Sequence, residues 1–475
     1  MKLIKSLFYF VPLWPLKQQV DYNKYNPVIT ITLKGKILVG IVRLYYRMLG
    51  WLEKYQWASV WPTHHEDPLK MSFAEKLYLG HKYYFKALIR PEEGSNLEPY
   101  FYNQNFQLKI PAGFTPVEKI TVHAAGDLIP YTCIETEVCK DIWKHLGDFF
   151  FNADIVFANL ETPADYSKPA SSAPEVMLHD MYFNADDAMM KIFNGNDQYK
   201  GFDVVSVANN HSLDAGTEGL LKTLQLLKQK NIAYCGAAMK QEEQHDFPII
   251  NRKGISVAFL SASFSFNQEV LPTGSEWLCN HIELNQPNPD INLLIEQVKI
   301  ARERGTDIIV AALHMGCAYQ AYPSMHSVNN IHAICDKAGI DIVIAGHPHH
   351  PQPMEIYASP DTGKQHFIVY SLGDFIAYDI FKWGHLSMLL KLEISKGILN
   401  GQPFSCITGI KIKPVYMHAH IKRGKIISLE LLHYSALKNN PLAFLTSKKD
   451  LQEFNEVSDF FERFVLQPHQ QYLLI

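Results

Sequence analysis

From residue 119 onward, short apolar runs alternate with longer amphipathic stretches. The runs are rich in β-branched residues, which favours buried strands, whereas the longer stretches repeat apolar residues at helical spacing. This alternation predicts an α/β domain whose strands are joined by helices. The predicted strands are 120–125, 154–158, 203–208, 255–260, 307–313 and 341–344, and the predicted helices are 217–230, 291–304 and 327–338.

After residue 349 the pattern changes to strands that follow one another directly. Hairpin-like alternation over 366–372, 386–393 and 410–417 predicts that antiparallel strands extend the sheet. An amphipathic stretch at 447–466 predicts a terminal helix. We therefore divide this part of the chain into a main domain, 116–435, and a C-terminal helical tail, 436–475.

Residues 1–115 form an N-terminal extension of unknown role, which is aromatic-rich and partly helical by pattern. Helices are predicted at 34–55 and 73–88. In the first of them, Arg43 and Arg47 lie one turn apart beside a broad apolar face. Such a helix either lies on a membrane surface or packs on the protein core with its cations in water, and we prefer the second interpretation.

Composition narrows the function only slightly. The formal net charge of −4 gives no general attraction to nucleic acid, so no nucleic-acid partner is expected. Seven cysteines occur singly, which favours reduced thiols over disulfides. The apolar run 7–16 resembles a secretory signal, but two prolines interrupt it and no small-residue cleavage site follows. A cytoplasmic or peripheral membrane location is favoured over secretion, and the compartment is left open.

Polar side chains follow five of the predicted strands. Because the carboxyl ends of strands in an α/β sheet line one crevice, residues far apart in the sequence converge there. Each residue alone has an ordinary interpretation as a turn residue, an N-cap or a histidine at the edge of the core. Their joint occurrence predicts a metal site. The candidate ligands are Asp127, Glu161, Asn210, His314, His347 and His349.

The ligand chemistry suits hard or borderline cations. Gly346 is followed by His347 and His349, whose imidazoles can reach neighbouring points in the crevice. Together with carboxylate and amide oxygens they suit one or two divalent ions of Mn, Fe, Zn or Mg. His211 is a candidate general acid, or a clamp on an anionic group, and Asp214 is placed to orient it.

Several of these segments together resemble the poly-γ-glutamate capsule biosynthesis family (CapA type). This family is a branch of the calcineurin-like metallophosphoesterase superfamily. The resemblance covers about residues 118–380 and leaves the N-terminal extension outside. The matching segments are Ala125-Gly126-Asp127, 157–163, 208–216, His314-Met315-Gly316, Gly346-His347-Pro348-His349 and 370–375.

The resemblance implies a four-layer αββα sandwich of two mixed sheets, with the N-terminal helical segment added to it. It also implies that Asp127 and His349 serve one metal, whereas Asn210, His314 and His347 serve the other. Glu161 would bridge the two ions, and His211 would be the catalytic histidine, assisted by Asp214.

Three positions depart from the family pattern. Ile129 stands where the superfamily has a histidine, so single-metal occupancy is expected as well as double. Ala318 stands where the family often has an acid, and Asp374 replaces an asparagine.

The function expected from the resemblance is metal-dependent hydrolysis with metal-activated water. The substrate would be an anionic small molecule or polymer, with a phosphoester or γ-glutamyl-type bond, in capsule polymer biosynthesis. The alternative is a non-catalytic assembly or export component with peripheral membrane or envelope partners.

Overall fold

The computed structural model describes residues 33–53, 57–174, 176 and 182–475. Two mixed β-sheets pack face to face, and helices cover both outer faces. The signal-like run 7–16 lies outside the described residues. Within the described part of the chain, no helix has both the length and the hydropathy needed to cross a bilayer.

The first sheet contains eight described strands. They are β1 (Thr115–Leu128), β2 (Ile155–Leu160), β3 (Val204–Ser206), β4 (Ala233–Cys235), β11 (Asp374–Ile376), β12 (Leu386–Leu399), β13 (Gln402–Lys422) and β14 (Lys425–His433). The order is β14-β13-β12-β1-β2-β3-β4, and β11 pairs with the end of β1. Strands β1 to β4 are mutually parallel, whereas β12 to β14 form an antiparallel extension that contains the predicted strands 386–393 and 410–417. The predicted strand 366–372 instead lies in the second sheet, where it pairs in parallel with 342–346 and antiparallel with 354–358.

The second sheet has six described strands. They are β5 (Ile249–Arg252), β6 (Ile255–Ser263), β7 (Ile308–His314), β8 (Ile342–Gly346), β9 (Met354–Ala358) and β10 (Gln365–Val369). Their order is β5-β6-β7-β8-β10-β9. The central strands are parallel and the edge strands β5 and β9 are antiparallel.

The helices have the following bounds. They are α1 (Leu33–Leu52), α2 (Phe73–Tyr84), α3 (Leu97–Tyr102), α4 (Gly147–Phe150), α5 (Asp187–Phe193), α6 (Gly216–Gln229), α7 (Asn292–Glu303), α8 (Met325–Ala338), α9 (Tyr434–Asn439) and α10 (Lys448–Phe464). The predicted terminal helix is α10, and the hydroxyl of Ser447 caps its first turn.

Successive side chains of a strand point to opposite faces of its sheet, so apolar side chains form a layer on each face. Odd positions of β2 such as Phe157 face the second sheet, where its ring stacks on Phe259 with 5.7 Å between centroids. Even positions such as Val156 and Ala158 face the outer core beneath α5 and α6. Helices α7 and α8 cover the other face of the second sheet. The predicted sandwich of two mixed sheets is confirmed, whereas the predicted domain boundaries stay predictions.

The described part of the N-terminal extension packs on this core. Tyr83, Leu97 and Phe101 belong to the same apolar cluster as the strands of the two sheets. Leu88 also exchanges backbone hydrogen bonds with the segment after β7, donating to the carbonyl of Tyr319 and accepting from the N–H of Ala321. This part of the extension is therefore integrated with the sandwich.

Helix α1 is different because only one side of it is covered. Val39, Val42 and Tyr46 are buried against the protein. The opposite side exposes a stripe of large apolar side chains, namely Leu33, Ile37, Ile41, Leu44, Met48, Trp51 and Leu52. Core packing, the interpretation we preferred from the sequence, accounts for one side of the helix only.

Candidate metal centre

The structure brings the six predicted ligands together at adjoining strand ends. Asp127 lies near the end of β1, Glu161 directly follows β2, and His314 ends β7. The remaining three lie in the loops after β3 and β8. Because the two sheets face each other, both contribute ligands to one buried cluster.

Asp127 is held at the centre of this cluster. Its Oδ1 accepts a hydrogen bond from Asn159 Nδ2 at 2.7 Å, and its Oδ2 accepts one from the backbone N–H of His347 at 3.1 Å. A side chain at Gly346 would place its Cβ only 2.8 Å from Asp127 Oδ1. Glycine at position 346 therefore lets the carboxylate approach the β8 loop.

Glu161 is the most unusual group in the centre. Its side chain is fully buried, and no N–H or hydroxyl within the described residues makes a hydrogen bond to either carboxylate oxygen. Burial, together with the neighbouring carboxylates of Asp127 and Asp374, raises the pKa of Glu161 well above its ordinary value. A buried carboxylate without donors needs either a proton or a cation.

His314 faces this carboxylate. Its Nε2 lies 3.5 Å from Glu161 Oε1 and 2.9 Å from Asn210 Oδ1. Burial, with the neighbouring imidazoles of His347 and His349, holds the pKa of His314 well below its usual range. The ring is therefore neutral at physiological pH, which is the form that binds metals.

The loop after β8 holds its two histidines in unusual backbone conformations. His347 has φ of +103° and His349 has φ of +62°. Such positive values cost non-glycine residues on the order of 1–3 kcal/mol and are typical of functional sites. Both imidazoles lie near Glu161, with which they form one candidate metal-binding group.

The two histidines differ in charge. Burial lowers the pKa of His347 despite its contact with Glu66. Burial also disfavours the charged form of His349, but the carboxylate of Asp374, 3.0 Å from His349 Nδ1, outweighs this and raises the pKa to about 9. Without a cation, His349 is therefore protonated at neutral pH.

Of the four groups in the described residues whose donor atoms lie close enough to hold a cation, three overlap at this centre. Glu161 belongs to two of them and Asp127 to two, so carboxylates are shared between neighbouring positions. The groups are Asp127–Glu161–His314, Glu161–His347–His349 and Asp127–His349–Asp374. The donor set, and the unpartnered oxygens of Glu161, fit one or two divalent cations.

His211 lies at the edge of the centre and is held rigidly. Its Nδ1 donates to Asp214 Oδ2 at 2.6 Å, and the same oxygen accepts the backbone N–H of Phe183. The Phe183 ring stacks on the imidazole with 4.0 Å between centroids. Burial raises the pKa of Asp214 although His211 opposes the shift. The predicted pairing of His211 with Asp214 is thus present in the structure.

Sequence reasoning missed two residues of the centre. Asn159 links Asp127 to His314, whose Nδ1 lies 3.3 Å from Asn159 Nδ2. Its position at the end of β2 was the available signal. Glu66 contacts His347 from the N-terminal extension, where only the polar run 64–67 within an aromatic-rich segment set it apart.

The structure also shows where the three residues that depart from the family pattern lie. Ile129 is buried in the outer core of the first sheet and offers no ligand. Asp374, predicted to lie near the crevice, pairs in register with Asp127 across β1 and β11. Ala318 is buried in the loop after β7.

A family model matches this region directly. Residues 121–379, more than half of the chain, match the family described as bacterial capsule synthesis protein PGA_cap. The chain belongs to this family. The resemblance drawn from its motifs is therefore confirmed, and the PGA_cap match contains all eight predicted site residues while excluding Glu66.

Two curated relatives of this PGA_cap chain come from Bacillus. The capsule biosynthesis protein CapA of Bacillus anthracis is 26% identical over 320 residues, covering 65% of this chain and 73% of the relative. The PGA biosynthesis protein CapA of Bacillus subtilis strain 168 is 25% identical over 263 residues, covering 55% of this chain and 59% of the relative.

A solved structure is also similar. The calcineurin-like phosphoesterase YfkN from Bacillus subtilis matches with a TM-score of 0.35 and 13% identity, covering 62% of this chain and 90% of that chain.

Proposed function

We propose that this chain is a metal-dependent hydrolase that acts in the biosynthesis of a capsule polymer. The observation that carries the proposal is the buried carboxylate of Glu161, which has no hydrogen-bond donor in the described residues and lies among imidazoles and a second carboxylate. Burying such a group without a cation is costly. A divalent cation bound to Glu161 would offset the cost of burying its carboxylate, which favours metal binding.

We propose the division of ligands around Glu161 that the family resemblance implies. Asn210, His314 and His347 would hold one ion, and Asp127 with His349 would hold the other. When bound, the cation supplies Lewis acidity that stabilises negative charge on a phosphoryl or carbonyl oxygen. The choice among Mn, Fe, Zn and Mg, and between one ion and two, belongs to this proposal.

His211 would work beside the cation. Because Asp214 and the Phe183 ring fix its imidazole, its Nε2, which lies 3.5 Å from Asn267 Nδ2, would meet a bound substrate in one orientation. We assign His211 the transfer of its Nε2 proton to the leaving group, starting from an imidazolium whose Nδ1 proton stays hydrogen-bonded to Asp214.

The substrate class follows from the centre and from the relatives. A cluster of cations and histidines suits an anionic substrate. The names of the relatives point to a capsule or poly-glutamate polymer, so we propose a phosphoester or a γ-glutamyl bond as the target.

The test uses the full chain loaded with Mn²⁺ or Zn²⁺. Phosphomonoesters, phosphodiesters and γ-glutamyl peptides would be offered in parallel. His211→Asn is expected to lower kcat by roughly 10²–10⁴-fold while elemental analysis gives an unchanged metal content. Absence of metal after loading, or equal turnover by His347→Ala, would refute the hydrolase.

A non-catalytic assembly role is the second candidate. It is favoured by Ile129, because the missing histidine leaves one side of the centre with fewer nitrogen ligands. A chain that binds metal, turns over none of these substrates and co-purifies with envelope proteins would support it.

We also propose that α1 lies against an anionic membrane surface. Its exposed apolar stripe is accompanied by Lys34, Lys36, Arg43 and Arg47, and the helix carries no acidic residue. An exposed apolar stripe flanked by cations is typical of helices that lie in a membrane interface.

A further inference from the structure

A carboxylate from outside the family-matched region reaches the candidate metal centre. Glu66 belongs to the N-terminal extension, yet its Oε2 lies 3.0 Å from Nε2 of His347. The matched region begins only at residue 121. This contact therefore joins a proposed ligand to a part of the chain that the family pattern does not cover.

The carboxylate of Glu66 is buried and saturated with donors. Its Oε1 accepts hydrogen bonds from Lys82 Nζ at 2.7 Å and from His64 Nε2 at 3.0 Å, and its Oε2 also accepts the backbone N–H of Ala318 at 2.6 Å. Because the ammonium of Lys82 and the backbone amide of Ala318 can only donate, both oxygens of Glu66 are hydrogen-bond acceptors.

The surrounding backbone keeps Glu66 in place. Glu66 itself has φ of +53°, a conformation that non-glycine residues adopt at a cost. The neighbouring His65 is clamped by Asn285, which donates to the carbonyl of His65 at 2.9 Å and to the carbonyl of Gly316 at 2.7 Å. Asn285 therefore connects the segment that contains Glu66 to the loop after β7.

The contact also fixes the tautomer of His347. Because both oxygens of Glu66 act as acceptors, Nε2 of His347 carries the proton and donates it. The other ring nitrogen, Nδ1, is buried and has no hydrogen-bond partner among the described residues. An imidazole arranged in this way presents Nδ1 as an unprotonated ligand.

We propose that Glu66 is a positioning residue that completes the metal centre from the N-terminal extension, by holding His347 with Nδ1 toward the cation. The inference rests on the proposed function. The proposal also bears on Ala318, the position where the resemblance predicts an acidic side chain. The carboxylate of Glu66 accepts the backbone N–H of Ala318 and so lies next to that position.

The experiment titrates the full-length, metal-free protein with Mn²⁺ by calorimetry. Since Glu66→Gln alone would leave the buried ammonium of Lys82 unpaired, the charge-neutral double variant Glu66→Gln/Lys82→Met is compared with the wild type. We expect its affinity for Mn²⁺ to fall about 10–100-fold. We also expect the visible absorption spectrum of the Co²⁺-loaded protein to change, because His347 is no longer oriented.

Glu92→Gln is the matched control. Glu92 is another carboxylate of the extension that accepts a backbone N–H from the main domain, at Met325, but the structure gives it no contact with a proposed ligand. Its Mn²⁺ affinity and Co²⁺ spectrum are expected to match the wild type.

The outcomes separate this inference from the proposed function. A wild type that binds no metal removes the hydrolase. A wild type that binds Mn²⁺, with a folded double variant of equal affinity and an equal Co²⁺ spectrum, overturns the role of Glu66 alone. If the double variant fails to fold, Glu66→Asp keeps the charge beside Lys82 but shortens the side chain by one methylene. Its spectrum must then depart from the wild type for the proposal to stand.

Discussion

Nδ1 of His349 lies 3.0 Å from Oδ1 of Asp374, and Asp374 is itself paired in register with Asp127 across β1 and β11. The short strand β11 thus places the carboxylate of Asp374 next to His349, a proposed metal ligand. With Nδ1 engaged in this way, His349 presents Nε2 to a cation.

The first prediction concerns this contact. Asp374→Asn removes the charge that orients His349, so the affinity for Mn²⁺ is expected to fall about 10–100-fold. Calorimetric titration measures it. Asp361→Asn, in an exposed loop, is the control and should leave the affinity unchanged. Equal affinities for both variants would show that Asp374 has no part in binding.

The second prediction concerns pH. Because His349 has a pKa of about 9 without a cation, a metal must displace a proton from it below that pH. Affinity for Mn²⁺ is expected to rise by about tenfold per pH unit between pH 7 and 9 and then to level off. Titrations in buffers with different ionisation enthalpies would detect the released proton. In Asp374→Asn the dependence should flatten, since the pKa of His349 is no longer raised.

The same group contributes to the stability of the metal-free protein. A histidine whose pKa is raised by folding stabilises fully below its unfolded value near 6.5, and this contribution disappears as the pH rises through about 9. The free energy lost by His349→Gln should therefore be larger at pH 6 than at pH 9.5. Denaturant unfolding at the two pH values tests this, and the opposite order would contradict the assignment.

The third prediction concerns Glu161. Its raised pKa means that ionisation opposes folding above the unfolded value near 4.5. Glu161→Gln is expected to raise the melting temperature of the metal-free protein by a few degrees at pH 7.5 while abolishing its stabilisation by Mn²⁺. The gain should shrink as the pH falls toward 4.5. Thermal unfolding with and without Mn²⁺ gives both readings, and a destabilised metal-free variant would argue for a purely structural Glu161.

The fourth prediction concerns α1. Replacing exposed Ile41 and Trp51 by serine should abolish flotation of the full chain with vesicles containing anionic lipid. Neutral vesicles should bind the wild type more weakly, because the cations of the helix then lose their partners. Serine at exposed Leu442, far along the chain, serves as the control and should float as the wild type does. No flotation of the wild type would remove the membrane proposal.

The placement of candidate ligands at strand ends could be predicted because it depends on local pattern. The apolar runs before Asp127, Glu161, His314 and His347 are read within a few residues, and parallel strands bring their ends together by geometry alone. Boundaries were less accurate where pairing decides them. Strand β1 begins at Thr115 instead of residue 120, because its ladder with β12 extends to the pair Thr115–Ile398.

Glu66 could not be predicted in the same way. Its neighbours in space, His347 and Ala318, lie more than 250 positions away, and no periodicity relates them. Only the packing of the extension on the loop after β7 brings them together. Sequence patterns also do not predict the burial of Lys82 beside Glu66, since lysine is normally exposed.

The span from Glu66 to Asp374 has a consequence for how the protein matures. A ribosome must release both residues, and everything between them, before the centre has its full set of groups. When only the first proposed ligands of a nascent chain have left the ribosome, they offer a cation a few carboxylates and an amide oxygen. Under the proposed function, metal capture would follow the folding of the sandwich, and the supply of metal in the compartment where folding ends would decide which ion is bound.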